Sequence, residues 1–449
     1  MKNFFSDKTI KNFIIIIDSL IPLFISTKSA DYFYYPKITA IYILVSCCIF
    51  VLFITYKKGN LKFKTTPELI LLLLFETMVM LSTAFSQYKN QAIWGRPLRN
   101  EGMMAYISYF AILYLSFICV KDDMSIFQIL KFILISGCII SMIGIMQYLG
   151  LDIVPKDTIR KDWIYTSYST LGNPNFLGSY LSAVFPIALF MYLLNIKQLD
   201  NKFLFAANVI LFSGLVCTKT RSAWLGTIIS ISFIVMLSVS KIKWNNKRKV
   251  ASLMVSLVIC TFLLNNVHGG ILYSRFKSII TDYKTVVSND EADDNKKLIA
   301  GSQRIFIWDR TMNYIFDRPL LGSGPDTFDK VFKMNSDEAE YHFGSPAVFV
   351  DKAHNEYLQI AITLGFPALI FYILFLIMVY FKSIYYIVHD NRSNIILCIF
   401  AGCLSYAIQA FFNISVVSVA PVYWSLLGIL LAECYQLKHI QGGSAYFKI

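Results

Sequence analysis

Apolar residues run through this chain in long, nearly unbroken blocks separated by short polar joints. Runs of about 18 or more apolar residues read as membrane-spanning helices. Twelve are legible, at roughly 10–27, 38–56, 67–85, 103–120, 127–149, 174–195, 202–218, 222–240, 249–265, 356–383, 393–412 and 416–436. Only helices and closed barrels satisfy their backbone polar groups in lipid, and these runs are too long for barrel strands. The pattern predicts an all-α integral membrane protein with about 12 transmembrane helices. It divides into spans one to nine over 1–265, one large extracytoplasmic loop over 266–355, and spans ten to twelve with a short tail over 356–449.

Within the loop the pattern changes. "SNDEADDNKK" (288–297) predicts a solvated acidic segment. "RIFIWDRTMNYIF" (304–316) carries apolar side chains at 305, 308, 312, 315 and 316, which is helical spacing. "DRPLLGSGPDTF" (317–328) then breaks it with Pro and Gly turns. The loop has too few apolar residues for a core of its own, so it is expected to fold back on the membrane as short helices. Neither a repeat of 20–50 residues nor the two inverted halves of many transporters is visible. The first run lacks a small-residue cleavage site and reads as a retained span.

Composition agrees: 56% of residues are hydrophobic, 15% are charged, and the mean hydropathy is +0.57. The net charge of +13 would suit a nucleic acid, but its distribution follows the membrane instead. With the N-terminus inside, the short cytoplasmic segments hold 19 Lys and Arg and the short outer loops 10. This asymmetry predicts a plasma-membrane protein with both termini cytoplasmic and the long loop outside. It argues for membrane lipid as a partner and against nucleic acid. All nine cysteines fall in predicted spans, so neither a disulfide framework nor a Cys/His metal cluster is expected.

Charge at membrane depth needs a reason. Four outward-facing stretches supply candidates. "WGRPLRNEG" (94–102) offers Arg96, Arg99 and Glu101 between two glycines. "TLGNPNFLGSY" (170–180) places Asn173 as a helix cap before Pro174, and leaves Asn175 and Gly178 less well explained. "CTKTRSAWLG" (217–226) puts Lys219 and Arg221 on a very short joint where Thr220 or Ser222 could cap the next helix. A helix N-terminus with two cations suits an anion, phosphate above all. "DKAHNEYLQ" (351–359) sets His354 one turn before Leu358, near Asp351 and Tyr357 at helical spacing. Each stretch alone also fits charges anchored at the membrane interface. Together they share one side, as a cavity for an anionic, polar-headed lipid would require.

These stretches, with "RIFIWDRTMNYIFDRPLLGSGPDTF" and "AHNEYLQIAITLGFPALI", resemble in order the motifs of the O-antigen ligase and polymerase superfamily, over roughly residues 90–430. The resemblance implies a GT-C-like membrane glycosyltransferase that moves a glycan from an undecaprenyl-diphosphate carrier to an acceptor hydroxyl. It also implies inversion at the anomeric centre, with no metal and no cofactor. By position, Arg221, Arg304 and His354 match the family's residues for diphosphate contact and acceptor activation. Lys219, Arg99, Arg96, Asn173 and Asn175 stand as substrate-binding candidates, with Glu356 or Asp351 to orient the imidazole. The acceptor, whether glycan, lipid or protein, stays open, and with it ligase, polymerase or protein O-oligosaccharyltransferase. From another class, a transporter of lipid-linked sugar would also use twelve spans. The chain departs from the family at "TLGFPAL", where Pro367 should kink or restart the helix and leave 353–364 as a half-helix carrying His354.

Overall fold

The computed structural model describes residues 2–29, 31–58, 64–120, 122–238, 247–287, 301, 303–390 and 393–440. The acidic segment 288–297 lies outside the described residues. The described chain is helical, with α1 (Lys2–Ser19), α2 (Tyr35–Lys57), α3 (Pro67–Phe85), α4 (Lys89–Trp94), α5 (Met103–Cys119), α6 (Asp123–Tyr148) and α7 (Pro174–Leu193). There follow α8 (Asn201–Cys217), α9 (Arg221–Ser238), α10 (Lys247–Val267), α11 (Ile271–Val287), α12 (Arg304–Ile315), α13 (Phe328–Val331) and α14 (Ser336–Phe343). The last four are α15 (Glu356–Leu364), α16 (Phe366–His389), α17 (Asn394–Ala410) and α18 (Ala420–Ile440). Seven of these are long and apolar enough to cross a membrane, and α5, α8 and α17 are shorter apolar helices. The chain is a multi-pass membrane protein.

Helix α7 is the centre of the bundle and is buried nearly all round. Helix α17 packs on α7 and α9, α18 on α5, and α16 on α3. Small residues set the closest crossings, as expected where lipid gives helices no hydrophobic reason to associate. A Cβ on Gly402 would stand 2.3 Å from the Ala183 carbonyl, and one on Gly428 2.3 Å from that of Leu113.

Several boundaries differ from the expected spans, and three of the shifts sit at prolines. Helix α1 ends at Ser19, not 27, because Pro22 cannot continue it. Helix α18 starts at Ala420, not 416, with Pro421 in its first turn, where proline is at home. Predicted span ten is two helices. It stops at Leu364, Gly365 takes φ +90°, and α16 restarts at Phe366 with Pro367 in its first turn, as the proline predicts. The half-helix begins at Glu356, three residues later than expected.

An interrupted helix leaves carbonyls open at membrane depth, which is tolerated only where protein satisfies them. The segment 318–326 does so. The Ser323 and Gly324 N–H groups donate to the carbonyls of Ile362 (3.2 Å) and Thr363 (2.8 Å), and the Phe366 N–H donates to that of Pro319 (2.8 Å). Gly365 lies so close that a Cβ there would meet the Leu320 carbonyl at 2.3 Å. From α3, the Ser82 hydroxyl donates to Thr363 O (2.8 Å) and that of Ser86 to Ser323 O (2.6 Å). The loop thus folds back into the bundle as expected. Its helix α12 turns a different face inward. Phe306, Ile307, Thr311 and Ile315 are buried, whereas Met312 and Phe316 of the anticipated stripe are exposed. The inner face was misjudged because α12 packs on α15 within the protein, and only Ile315 belongs to both stripes.

Gly402→Val should destabilise the bundle by about 1–3 kcal/mol or more, since the added atoms meet backbone that cannot move aside. A lowered midpoint of thermal unfolding in detergent would show it; an unchanged midpoint would mean the α7–α17 crossing is looser than described.

Candidate functional site

Asp326 organises the stretch 94–102. Its Oδ2 accepts the N–H groups of Arg96 (2.7 Å) and Glu101 (3.2 Å), and its Oδ1 lies 3.0 Å from Arg99 Nε, an ion pair too bent for a hydrogen bond. The loop around it is tightly coiled. Leu98 and Asn100 take positive φ, and a Cβ on Gly95 (φ +87°) would meet the Glu101 nitrogen at 2.4 Å. Gln91 Nε2 braces the far side, donating to Asp326 O (2.8 Å) and Asp329 Oδ1 (2.6 Å).

The clamped loop holds the stretch before α15. Arg96 pairs with Asp351 at 2.7 Å, and Arg99 donates to the Asp351 carbonyl at 3.1 Å. Trp308 Nε1 on α12 donates to Ala353 O (3.0 Å), and the Ala353 N–H donates to Gln359 Oε1 (2.9 Å). Asn355 is the N-cap of α15 and accepts from the N–H groups of Tyr357 (3.0 Å) and Leu358 (3.1 Å). Pinned on both sides, His354 is partly buried with φ +51°, a strained conformation that persists only where neighbours impose it. It is therefore not on a helix, and the expected helical spacing to Asp351 and Tyr357 does not apply.

His354 Nδ1 is buried without a hydrogen-bond partner. Asp351 pairs instead with Arg96 and Lys352, and Glu356 accepts from Tyr372 (2.9 Å), so neither carboxylate holds the imidazole through Nδ1. Burial, with Lys352 and Arg304 close by, holds the imidazole well below its usual range, although Asp351 pulls the other way. The ring is neutral at neutral pH. Burial, with Arg221 beside it, lowers the Arg304 guanidinium to about 10. Arg304 has no hydrogen-bond or ion-pair partner among the described residues. Arg221 pairs with Asp282 of α11 at 2.5 Å and donates to Ser278 Oγ (3.1 Å).

Arg221, Arg304, Lys352, Arg99 and His354 thus form one electrostatic neighbourhood, with Arg96 behind it. Three helix N-termini converge there. The Thr220 hydroxyl at the start of α9 donates to Pro174 O at the start of α7 (3.1 Å), and the Lys352 ammonium lies 5.9 Å over the Phe176 ring. Asn173 caps α7 as expected, accepting the Asn175 N–H at 2.8 Å. Asn175 adds its carbonyl, which accepts from Asn413 Nδ2 (3.3 Å). Neither expected cap of α9 operates: Thr220 donates elsewhere, and Ser222 Oγ is buried without a partner. Lys219 stands apart from the cluster. Its ammonium donates to Tyr165 O (3.2 Å) and lies 5.6 Å over the Tyr148 ring.

Asp326, Asp282, Gln359 and the capping role of Asn355 escape a reading of the sequence. Asn355 alone left a local signal, since an Asn directly before an acidic residue and an apolar run is a common helix start. The partners of Asp326 and Asp282 are remote in sequence, and Gln359 reaches back past the cap to Ala353.

These features define a multi-pass membrane protein with a cationic site where helix N-termini meet a folded-back loop. Residues 206–373 match the family model described as O-antigen ligase, which supports the O-antigen ligase and polymerase superfamily. The match runs from α8 to the first third of α16. It contains Arg221, Arg304, His354 and Asp326, and leaves Arg96, Arg99, Asn173 and Asn175 outside. No curated protein matches the chain.

Asp326→Ala should cost about 3–5 kcal/mol, because it strands Arg99 as a buried charge and frees two N–H groups. Asn355→Ala should cost about 0.5–2 kcal/mol through the lost cap. Unfolding midpoints in detergent would rank the two; equal, small losses would argue against the clamp.

Proposed function

We propose that this chain transfers a glycan from an undecaprenyl-diphosphate carrier to an acceptor hydroxyl at the outer face of the plasma membrane, both termini lying in the cytoplasm. The observation that carries the reading is Arg304, a largely buried cation whose charge acts on Arg221 and His354 with no counter-ion among the described residues. Such a centre favours a multiply charged anion, and helix N-termini strengthen the preference. An apolar groove of about 600 Å³ runs between α8, α9, α10 and α11, past Trp224, Phe262 and Phe276. Trp224 is one turn from Arg221, so the groove suits the isoprenoid tail of a lipid whose diphosphate rests on the arginines. Helix α11 exposes Tyr273, Phe276, Ile280 and Tyr283 beside its charges, as a helix at the membrane interface would.

In this reading the acceptor oxygen attacks C1 of the donor sugar from the face opposite the diphosphate. The C1–O bond to phosphate breaks and its electrons leave with the carrier. Arg221 and Arg304 stabilise that charge, aided by Lys352 and Arg99. Neutral His354 takes the acceptor proton, a role open to it because burial, together with the surrounding cations, keeps the imidazole unprotonated. The reading is GT-C-like, inverting and metal-independent.

A transfer assay in membrane vesicles tests it. Arg221→Ala and Arg304→Ala should each lower the rate by about 10²–10³. His354→Ala should lower it by about 10²–10⁴. EDTA should leave it unchanged. Wild-type turnover in all three variants at normal expression would overturn the assignment.

A further inference from the structure

Beside the cationic cluster lies a second polar space that the proposed transfer does not use. Arg99, Glu101, Asp326, Glu356 and Gln359 bound a small chamber of about 10 Å³. Glu101, Glu356 and Gln359 are 2%, 6% and 6% exposed. Each is anchored by one atom. Glu101 Oε1 accepts from Tyr109 (2.8 Å), Glu356 Oε1 from Tyr372 (2.9 Å), and Gln359 Oε1 from the Ala353 N–H (2.9 Å). Each also keeps one buried atom without a partner: Glu101 Oε2, Glu356 Oε2 and Gln359 Nε2. Room for about one water with three polar neighbours is what a buried water takes. Two carboxyls on one enclosed chamber cannot both stay ionised cheaply, so they hold a proton between them. The chamber adjoins the base, since Gln359 grips the backbone one residue before His354 and Arg99 acts on both.

We propose that Glu101 and Glu356, bridged by one water in this chamber, are a proton-sharing carboxyl pair that takes up the proton released at His354 in each transfer. The proposal rests on the transfer reading above. The acceptor O–H bond breaks as O–C1 forms, and the diphosphate leaves with the C1–O electrons. The proton passes from the imidazole through the water to the pair, which later returns it to solvent.

The charged groups facing the pair are Arg99 and Asp326. Its remaining titratable neighbours are phenols, those of Tyr42, Tyr106 and Tyr109 around Glu101. Around Glu356 they are those of Tyr357, Tyr372, Tyr380 and Tyr406. Burial pushes the Glu101 carboxyl up to about 8, in keeping with one shared proton at neutral pH. As pH falls the pair fills and transfer slows. In Glu101→Gln or Glu356→Gln the remaining carboxylate loses the shared proton that stabilised its charge. It then takes up a proton at higher pH, and the acid limb of the rate profile moves up.

The full-length protein in nanodiscs provides the test. Each Gln variant should lower transfer by at least about tenfold, less than loss of the base itself, and shift the acid limb to higher pH. Infrared difference spectra should show a protonated-carboxyl band diminished in both variants. Wild-type rate and profile in both variants overturn the relay, as does a slower rate with an unmoved profile, which marks packing alone. If a variant fails to fold, the wild-type rate in H₂O/D₂O mixtures decides. A curved dependence supports more than one moving proton, and a straight line overturns the relay. His354→Ala separates the two levels: if it collapses turnover while both Gln variants behave as wild type, only the relay fails. If it keeps turnover, the transfer reading falls as well.

Discussion

A helix cannot stop inside a membrane unless something else meets its last carbonyls, and the rest of this molecule follows from how that is done. The break at Gly365 leaves Ile362 and Thr363 to be satisfied, and the Ser323–Gly324 turn satisfies them. That turn fixes Asp326 two residues later. Asp326 grips Arg96, Arg99 and Glu101, and the two arginines grip Asp351. His354 lies three residues beyond. The turn and the aspartate clamp use backbone N–H groups and a buried ion pair, the interactions costliest to leave unmade in a low-dielectric interior, and the half-buried Arg96–Asp351 pair completes the run. The break is therefore the anchor from which the site is built.

The same chain of contacts explains how so much like charge can gather in one place. Arg221, Arg304, Lys352, Arg99 and Arg96 repel one another around a single imidazole, and burial removes the water that would screen them. Asp326, Asp351 and Asp282 offset part of this and hold Arg96, Arg99 and Arg221 where they are. Arg304 receives no such help among the described residues. The uncompensated field therefore concentrates on one side of His354. A centre like this is held in place before any ligand arrives, which is what electrostatic stabilisation of a leaving group demands.

The sequence made the bundle, the folded-back loop and the break at Pro367 legible, because each depends on local pattern: apolar length, Pro and Gly. Boundaries slipped where a single proline overruled hydropathy, at Pro22 and Pro421. The inner face of α12 was hidden because periodicity alone cannot say which of two overlapping stripes meets protein. Arg221 and His354 stood out as polar groups at span boundaries, but their roles, and the choice of Arg304, came from the resemblance to known motifs. Their convergence is a tertiary fact, as is the departure of Lys219 toward Tyr148 and Tyr165. Asp326 is the clearest omission. It reads as one more polar residue after a proline, and its importance comes from partners more than 200 residues away.

The family match and the geometry divide the site in the same place. The matched stretch supplies Arg221, Arg304, His354 and the groove walls of α8 to α11. The facing walls come from outside it: the 94–102 loop with Arg96, Arg99 and Glu101, and the N-terminus of α7 with Asn173 and Asn175. Under the proposed transfer the first set meets the diphosphate and lipid, which are common to any reaction that spends such a carrier. The second set meets the cavity where an acceptor must enter. Fixing the first by a broken helix and the 94–102 loop by one buried aspartate couples these two parts rigidly. Under the proposed transfer, side chains facing the acceptor sit on a backbone that Asp326 holds against the stretch before His354, so the acceptor side is positioned independently of its own side chains.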